Sequence, residues 1–258
     1  MFLGKINFYY LILIAIMSFQ CTHPVKPLII GHRGAKGHIA ENTLPSIAKA
    51  IELGADGVEI DVFLCLSGEL VVFHDKTLDK LTDARGYIEN LTLDSINKIN
   101  VLGSYKIPTL NEVIDLIDCK VFLNIELKGS GTAQPTHRLL KKYLEKGKWS
   151  ADQFIISSFD LEELKYFYDL NKEIPIAVLT DADPLDAIPI ADKFKAKAIN
   201  PEFTALNENN VKKIKQAGYE IYPYTVNNLT DIKQMVAFKV DGIITDYPDI
   251  VEKILISN

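Results

Sequence analysis

The sequence predicts an α/β protein built as a closed (β/α)8 barrel, with a β-hairpin and a small insertion after the second strand. Three observations carry this. Short apolar runs alternate with helical patterns about eight times along the chain. The length, 258 residues, suits one such barrel, which takes about 250. The runs end almost uniformly in polar, chemically capable side chains, as barrel strands do at their C-terminal ends. An open doubly wound sheet fits less well, because no Gly-x-Gly-x-x-Gly turn follows the first strand.

In chain order, Leu28 to Ile30 is a brief apolar strand that ends in Gly31-His32-Arg33-Gly34. A helix with Pro45 in its first turn follows, and stops near Gly54. The second strand, Gly57 to Val62, alternates Val58, Ile60 and Val62 with Glu59 and Asp61, so both carboxylates share one face. A turn at Ser67-Gly68 returns the chain as Leu70 to Phe73, which delivers His74-Asp75 towards those carboxylates. Thr77 to Tyr105 is mostly polar and reads as an excursion with short helical pieces. Pro108-Thr109-Leu110 opens a helix through Ile117.

Regular alternation then resumes. Strands are expected at Val121–Leu127, Phe154–Ser157, Ile176–Leu179, Ala198–Asn200, Ile221–Val226 and Gly242–Thr245. Helices are expected at Pro135–Lys146, Leu161–Leu170, Leu185–Phe194, Glu208–Ala217, Leu229–Phe238 and from Asp249 onward. The polar strand ends are His32 and Arg33; Glu59 and Asp61; Glu126 and Lys128; Ser157 and Ser158; Asn200; Thr225 and Asn227; Thr245 and Asp246.

Composition sets bounds. An apolar fraction of 48% is ample for a core, and a net charge of -6 with no basic stripe argues against nucleic acid as a partner. Residues 1–20 stand apart: Lys5 is their only charge, and the apolar run Phe8 to Phe19 is too short for a membrane span. They read as a signal peptide. Cys21 after them resembles the lipidated cysteine of a bacterial lipoprotein, with residues 21–27 as a linker and 28–258 as the barrel. On that reading the protein is exported, periplasmic or anchored to the outer membrane, and touches the membrane only through Cys21. Ordinary cleavage nearby and an uncleaved anchor are the other readings. Cys65 and Cys119 read as buried free thiols, and no Cys-x-x-Cys pair suggests zinc.

At the barrel mouth, Glu59, Asp61 and Glu126 would form a hard-metal site with positions left for water and a substrate oxygen. Arg33 and Lys128 add positive charge, more than a neutral substrate requires and suited to a phosphate. Splitting a phosphodiester needs a base for the attacking hydroxyl and an acid for the departing alkoxide; His32 and His74, the two histidines at strand ends, can serve near neutrality. His23, His38 and His137 read as solvated.

These residues resemble a known family. His32-Arg33-Gly34, Glu41-Asn42-Thr43, Gly57-Val58-Glu59-Ile60-Asp61-Val62, His74-Asp75, Ile107-Pro108-Thr109-Leu110, Ile125-Glu126-Leu127-Lys128, Tyr224-Thr225-Val226-Asn227 and Gly242 to Pro248 look, in order, like the glycerophosphodiester phosphodiesterases. The resemblance implies a TIM barrel with an insertion over residues 76–106. It implies hydrolysis of a glycerophosphodiester to glycerol 3-phosphate and an alcohol, with one calcium or magnesium ion. It implies His32 and His74 as the catalytic pair and Glu59, Asp61 and Glu126 as metal ligands. Arg33, Glu41, Lys128 and Tyr224 would line the substrate side. Tyr224 stands where the family usually has tryptophan, and Lys80 where it often has arginine. A phospholipase D-like or lysophospholipid phosphodiesterase on the same barrel is the alternative, and a non-catalytic phosphate-binding lipoprotein the third.

Overall fold

The computed structural model describes residues 26–257. The signal-peptide and lipidation readings therefore lie outside the described residues. Nine strands are described: β1 (Leu28–His32), β2 (Gly57–Leu64), β3 (Leu70–Val72), β4 (Phe122–Leu127), β5 (Phe154–Ser158), β6 (Ile176–Thr180), β7 (Ala198–Pro201), β8 (Glu220–Ile221) and β9 (Gly242–Thr245). Eight of them run parallel in the order β9, β1, β2, β4, β5, β6, β7, β8, and β3 pairs antiparallel with β2 as the predicted hairpin. The barrel closes through backbone hydrogen bonds outside the regular ladders. Asp241 N–H donates to the Ile221 carbonyl (3.1 Å), Ile244 N–H to Pro223 (3.0 Å) and Val226 N–H to Ile244 (2.9 Å).

The expected strand Ile221–Val226 is thus cut to two residues of regular ladder. Pro223 has no N–H to give, so pairing continues only through isolated bonds such as Tyr224 N–H to Pro201 O. The other strands fall within a residue or two of expectation.

Side-chain alternation sorts the core into layers. Val58, Ile60 and Val62 of β2, with Leu123, Ile125 and Leu127 of β4, face the surrounding helices. Ile30, Ile155, Ala177, Ala198, Tyr222 and Ile244 fill the barrel interior. The helices lie where their apolar stripes place them: α1 (Leu44–Glu52), α3 (Leu110–Ile117), α4 (Ala133–Glu145), α5 (Leu161–Leu170), α6 (Ile188–Phe194), α7 (Glu208–Gln216), α8 (Leu229–Phe238) and α9 (Pro248–Ser257). Thr43 caps α1, accepting from Ser46 N–H, and Thr109 with Glu112 closes a capping box on α3. That box explains why Pro108-Thr109-Leu110 reads so clearly as a helix start.

The excursion folds as a cap with its own small core. Its one α-helix is α2 (Leu93–Ile96). Leu78, Ile88, Ile96, Ile99 and Val101 pack on Phe63, Val71 and Phe73 from the hairpin. Cys65 is buried here as a free thiol, whereas Cys119 is free but only half-buried, in a left-handed turn after α3.

Candidate active site

The C-terminal ends of the strands gather at one mouth. A cavity of about 230 Å³ there is lined by His32, Arg33, Glu59, His74, Glu126, Lys128 and Tyr224, together with Asn124, Ser157, Phe159, Leu179, Thr225 and Ile244. A more open groove of about 350 Å³ lies elsewhere, among residues such as Glu69, Thr109, Arg138 and Lys142; none of the sequence-predicted site residues lines it.

The acidic trio lies at the centre. Glu59 and Asp61 come from β2 and Glu126 from β4, in adjacent register with Asp61 opposite Glu126. One oxygen of each lies within 4.8 Å of the others, and all three side chains are buried. Burial, and then the charges of its two neighbours, push the Glu59 carboxyl well above the usual range. Burial and Asp61 push Glu126 up to about 7, against the pull of Lys128. Oδ1 of Asp61 is buried without a hydrogen-bond partner. Such a group is costly to leave unsatisfied. A hard divalent cation answers all three features, since it holds carboxylates ionised and takes the orphaned oxygen. The donor set therefore fits such an ion.

Two cations flank the trio. Arg33, in the left-handed region with φ 53°, reaches Asp61 Oδ2 through Nε (3.3 Å) and donates through Nη1 to Glu41 Oε1 (2.6 Å). Its backbone N–H donates to Glu59 (3.1 Å). The Lys128 ammonium touches Glu126 Oε1 (2.9 Å) and stands 3.9 Å from Asp61 Oδ1 and 3.3 Å from His74 Nε2. Burial opposes the charge of both, but the surrounding carboxylates outweigh it, so Arg33 and Lys128 are held cationic.

Glu41 binds Arg33 and Lys36 (3.3 Å) and is not among the residues lining the cavity. Its bond to Nη1 helps to fix the guanidinium. Asn42, next to it, donates to Asp61 Oδ2 at 2.9 Å and holds the aspartate in place.

Each histidine has one ring nitrogen tied to a carboxylate. His32 Nδ1 is 2.6 Å from Asp246 Oδ1, and His74 Nδ1 is 2.7 Å from Asp75 Oδ1. A neutral ring then donates through Nδ1 and keeps its Nε2 lone pair. Asp246 is itself fixed by Asn227, whose Nδ2 donates to Oδ2 (2.9 Å) and whose Oδ1 accepts from the Asp246 N–H (2.9 Å). Burial lowers the pKa of His32 despite Asp246, and burial with the Arg33 and Lys128 charges lowers that of His74 despite Asp61. Both shifts favour the neutral ring over the imidazolium.

Sequence reasoning did not single out the partners Asp246, Asn227, Asp75 and Asn42, nor Phe159. Asp246 and Asn227 were visible as polar strand ends; their pairing with a ring 214 residues away was not. His38 binds Asp249 at 2.8 Å and His137 packs edge-on against Phe167 on the outer helices, neither among the residues lining the cavity.

A barrel mouth that combines a buried acidic trio fit for a divalent cation, two flanking cationic side chains and carboxylate-held imidazoles is suited to breaking a phosphate ester. The class is that of the barrel phosphodiesterases. Comparison with known proteins agrees. Residues 32–250 match the glycerophosphoryl diester phosphodiesterase family, and the chain belongs to that family. It is 34% identical to the glycerophosphodiester phosphodiesterase of Caldanaerobacter subterraneus subsp. tengcongensis over 87% of this chain and 96% of the relative. It is 30% identical to that of Bacillus subtilis over 98% and 94%. Among solved structures, an Oleispira antarctica phosphodiesterase in complex with the product sn-glycerol-3-phosphate superposes with a TM-score of 0.82 at 28% identity. That match covers 90% of this chain and 97% of the other.

Proposed function

We propose that this enzyme hydrolyses glycerophosphodiesters to glycerol 3-phosphate and an alcohol, with a divalent cation and with His32 and His74 as general acid and base. The observation that carries the reading is the convergence of two carboxylate-anchored imidazoles with Glu59 and Glu126 on one cavity, where Asp61 completes the buried acidic trio beside them. Glu59, Asp61 and Glu126 would hold the cation, calcium or magnesium, which supplies positive charge to a phosphate oxygen as negative charge builds there. Arg33 and Lys128 bind the remaining phosphate oxygens and keep the diester oriented. One imidazole takes the proton of the attacking oxygen through Nε2 as the new P–O bond forms. The other acts from its imidazolium form, giving its Nε2 proton to the leaving oxygen as the bond to phosphorus breaks and remaining as the neutral ring. The attacking oxygen is that of water, or of the neighbouring glycerol hydroxyl, in which case the cyclic phosphate formed as the alcohol leaves is opened by water in a second step; both routes use the same two rings. Tyr224 and Phe159 wall the cavity with their rings edge to face, and the Lys128 ammonium lies over the Phe159 ring, 6.0 Å from its centroid.

A lysolipid substrate is the second reading. Its specific support is the set of exposed apolar side chains in the hairpin, the cap, the loop after β5 and the start of α8, namely Leu66, Leu102, Phe159 and Leu229. Export and lipidation at Cys21 are likewise proposed. The first described strand starts at Leu28, at the barrel end opposite the mouth, so a tether there would hold the mouth outward and favour soluble diesters.

The test is release of glycerol 3-phosphate from a panel of glycerophosphodiesters and one lysophospholipid, with and without chelator. Hydrolysis of the diesters that stops with chelator is expected. Replacing His32 or His74 by alanine lowers turnover by roughly 10²–10⁴, the range for general acid–base groups. Normal turnover by the double variant would reject the assigned roles.

A further inference from the structure

We propose that the base of the barrel, the end opposite the mouth, docks on an anionic lipid surface and so holds the mouth turned away from it. The inference goes beyond the hydrolytic reading and stands apart from it.

The connections that lead from each helix into the next strand meet at the base. Backbone bonds set them side by side: Leu28 N–H donates to the Asp241 carbonyl (2.8 Å), Phe122 N–H to Asp56 (3.1 Å), Lys197 N–H to Ile176 (2.8 Å) and Glu220 N–H to Lys197 (3.0 Å). Lysines stand in most of them. Lys26 precedes β1, Lys120 β4, Lys146 β5, Lys172 β6, Lys195 β7 and Lys239 β9, and all of these are exposed. No basic run marks this face in the sequence, because each lysine comes from a different connection.

The acids of the base do not cancel them. Asp118, Glu220 and Asp241 are taken by other lysines, Lys148, Lys197 and Lys215. Asp56 accepts from the Ile29 N–H at 2.8 Å, and Asp152 and Glu173 are the remaining loop acids. The exposed lysines named above form no ion pair with a carboxylate among the described residues. A lysine at a helix C-terminus can answer the helix dipole, which accounts for Lys146, Lys195 and Lys239. Lys26 follows no described helix, and Lys120 and Lys172 lie past the caps Asp118 and Asn171, so the dipole does not account for these. The loops at the other end carry the opposite sign, with Asp160 after β5, Asp181 and Asp183 after β6 and Glu202 after β7. An anionic surface therefore attracts the base and repels that side of the mouth.

The sequence ahead of the barrel joins it at this same end. Lys26 is only seven residues on from Phe19, the last of the apolar run Phe8 to Phe19. Fully extended, that stretch reaches about 25 Å at most. A bilayer that holds the run keeps the base near its head groups, where charges act within a Debye length of about 10 Å. Ile256, in the last turn of α9 as that helix returns from the mouth, is 69% exposed and adds an apolar contact at the base.

The experiment is co-sedimentation of the full chain with vesicles of phosphatidylcholine alone or with about 30% phosphatidylglycerol, in about 0.05 M and 0.5 M salt. The apolar run contributes alike to both vesicles, so the ratio of the two affinities reads the base. Anionic vesicles are expected to bind about tenfold more tightly at low salt, and the preference should vanish at high salt. The quadruple variant Lys120→Gln, Lys172→Gln, Lys195→Asn, Lys239→Asn should bring the ratio near one with hydrolysis of a soluble diester unchanged; asparagine suits the left-handed positions 195 and 239. A quadruple of equal charge in the cap, Lys76→Gln, Lys80→Gln, Arg85→Gln, Lys98→Gln, should keep the preference. Equal binding of the wild type to both vesicles would overturn the proposal, as would an equal loss in the two quadruples. Loss of hydrolysis alone in any of these chains bears on the phosphodiesterase reading and leaves the vesicle ratio to decide the docking.

Discussion

The carboxylate of Asp246 lies 2.6 Å from Nδ1 of His32, joining the residue after the last barrel strand to the end of the first. The contact fixes which ring nitrogen carries the proton and so which one faces the cavity. It also raises the basicity of a ring that burial lowers.

Replacing Asp246 by Asn should therefore lower kcat by about 10²–10⁴ with a much smaller change in KM, since a wrongly protonated ring is nearly as damaging as none. Whichever limb of the pH–rate profile His32 governs should move to lower pH, because the carboxylate favours the protonated ring. A merely structural role would leave that limb in place. An unmoved limb with full kcat would show that Asp246 does not position His32.

Glu59 and Glu126 give a second prediction. An unfolded glutamate titrates near 4.3, whereas Glu126 is pushed up to about 7 and Glu59 is well above its ordinary value. Between those values the folded chain holds protons that the unfolded chain has released, so without added cation the melting temperature should fall as pH rises from about 5 to 7. Calcium or magnesium at about a hundred times its Kd should restore roughly 5–10 °C at pH 8 and clearly less at pH 5.5, where it competes with protons. Thermal melts of the wild type and of Glu126→Gln check this. A shift of equal size at both pH values, or one retained in the variant, would argue against cation binding by the trio.

Gly34 gives a third. Its φ is +85°, and a Cβ there would lie 2.5 Å from Ser46 Oγ and 2.6 Å from the Ser46 carbonyl carbon of α1. Gly34→Ala should cost about 2–4 kcal/mol, since strain and backbone overlap act together. Chemical denaturation would measure it, and a loss under 1 kcal/mol would mean the loop after β1 relaxes more easily than its packing on α1 implies.

Much of the site was legible because it obeys local periodicity. Glu59 and Asp61 share a face by the two-residue repeat of a strand, and the hairpin turn at Ser67-Gly68 necessarily returns His74 to them. What stayed hidden depends on contacts far apart in sequence. Nothing near Asp246 announces His32, and Glu41 reads as one more acid at the mouth until Arg33 and Lys36 are seen to occupy both of its oxygens. The eighth strand was overread for a local reason. Ile221 to Val226 has strand composition, but Pro223 withholds the donor that a regular ladder needs.

The cap over residues 76–106 has an interior separate from that of the barrel, yet its root is pinned where the chemistry sits: Phe73 N–H donates to the Asp61 carbonyl at 3.0 Å and Val72 N–H to Pro108 at 2.8 Å. Side chains within that small interior can be exchanged without reaching the helices packed around the strands. The cap can therefore drift in sequence, and reshape what approaches from solution, while the imidazole at its base keeps its place one residue beyond that pin.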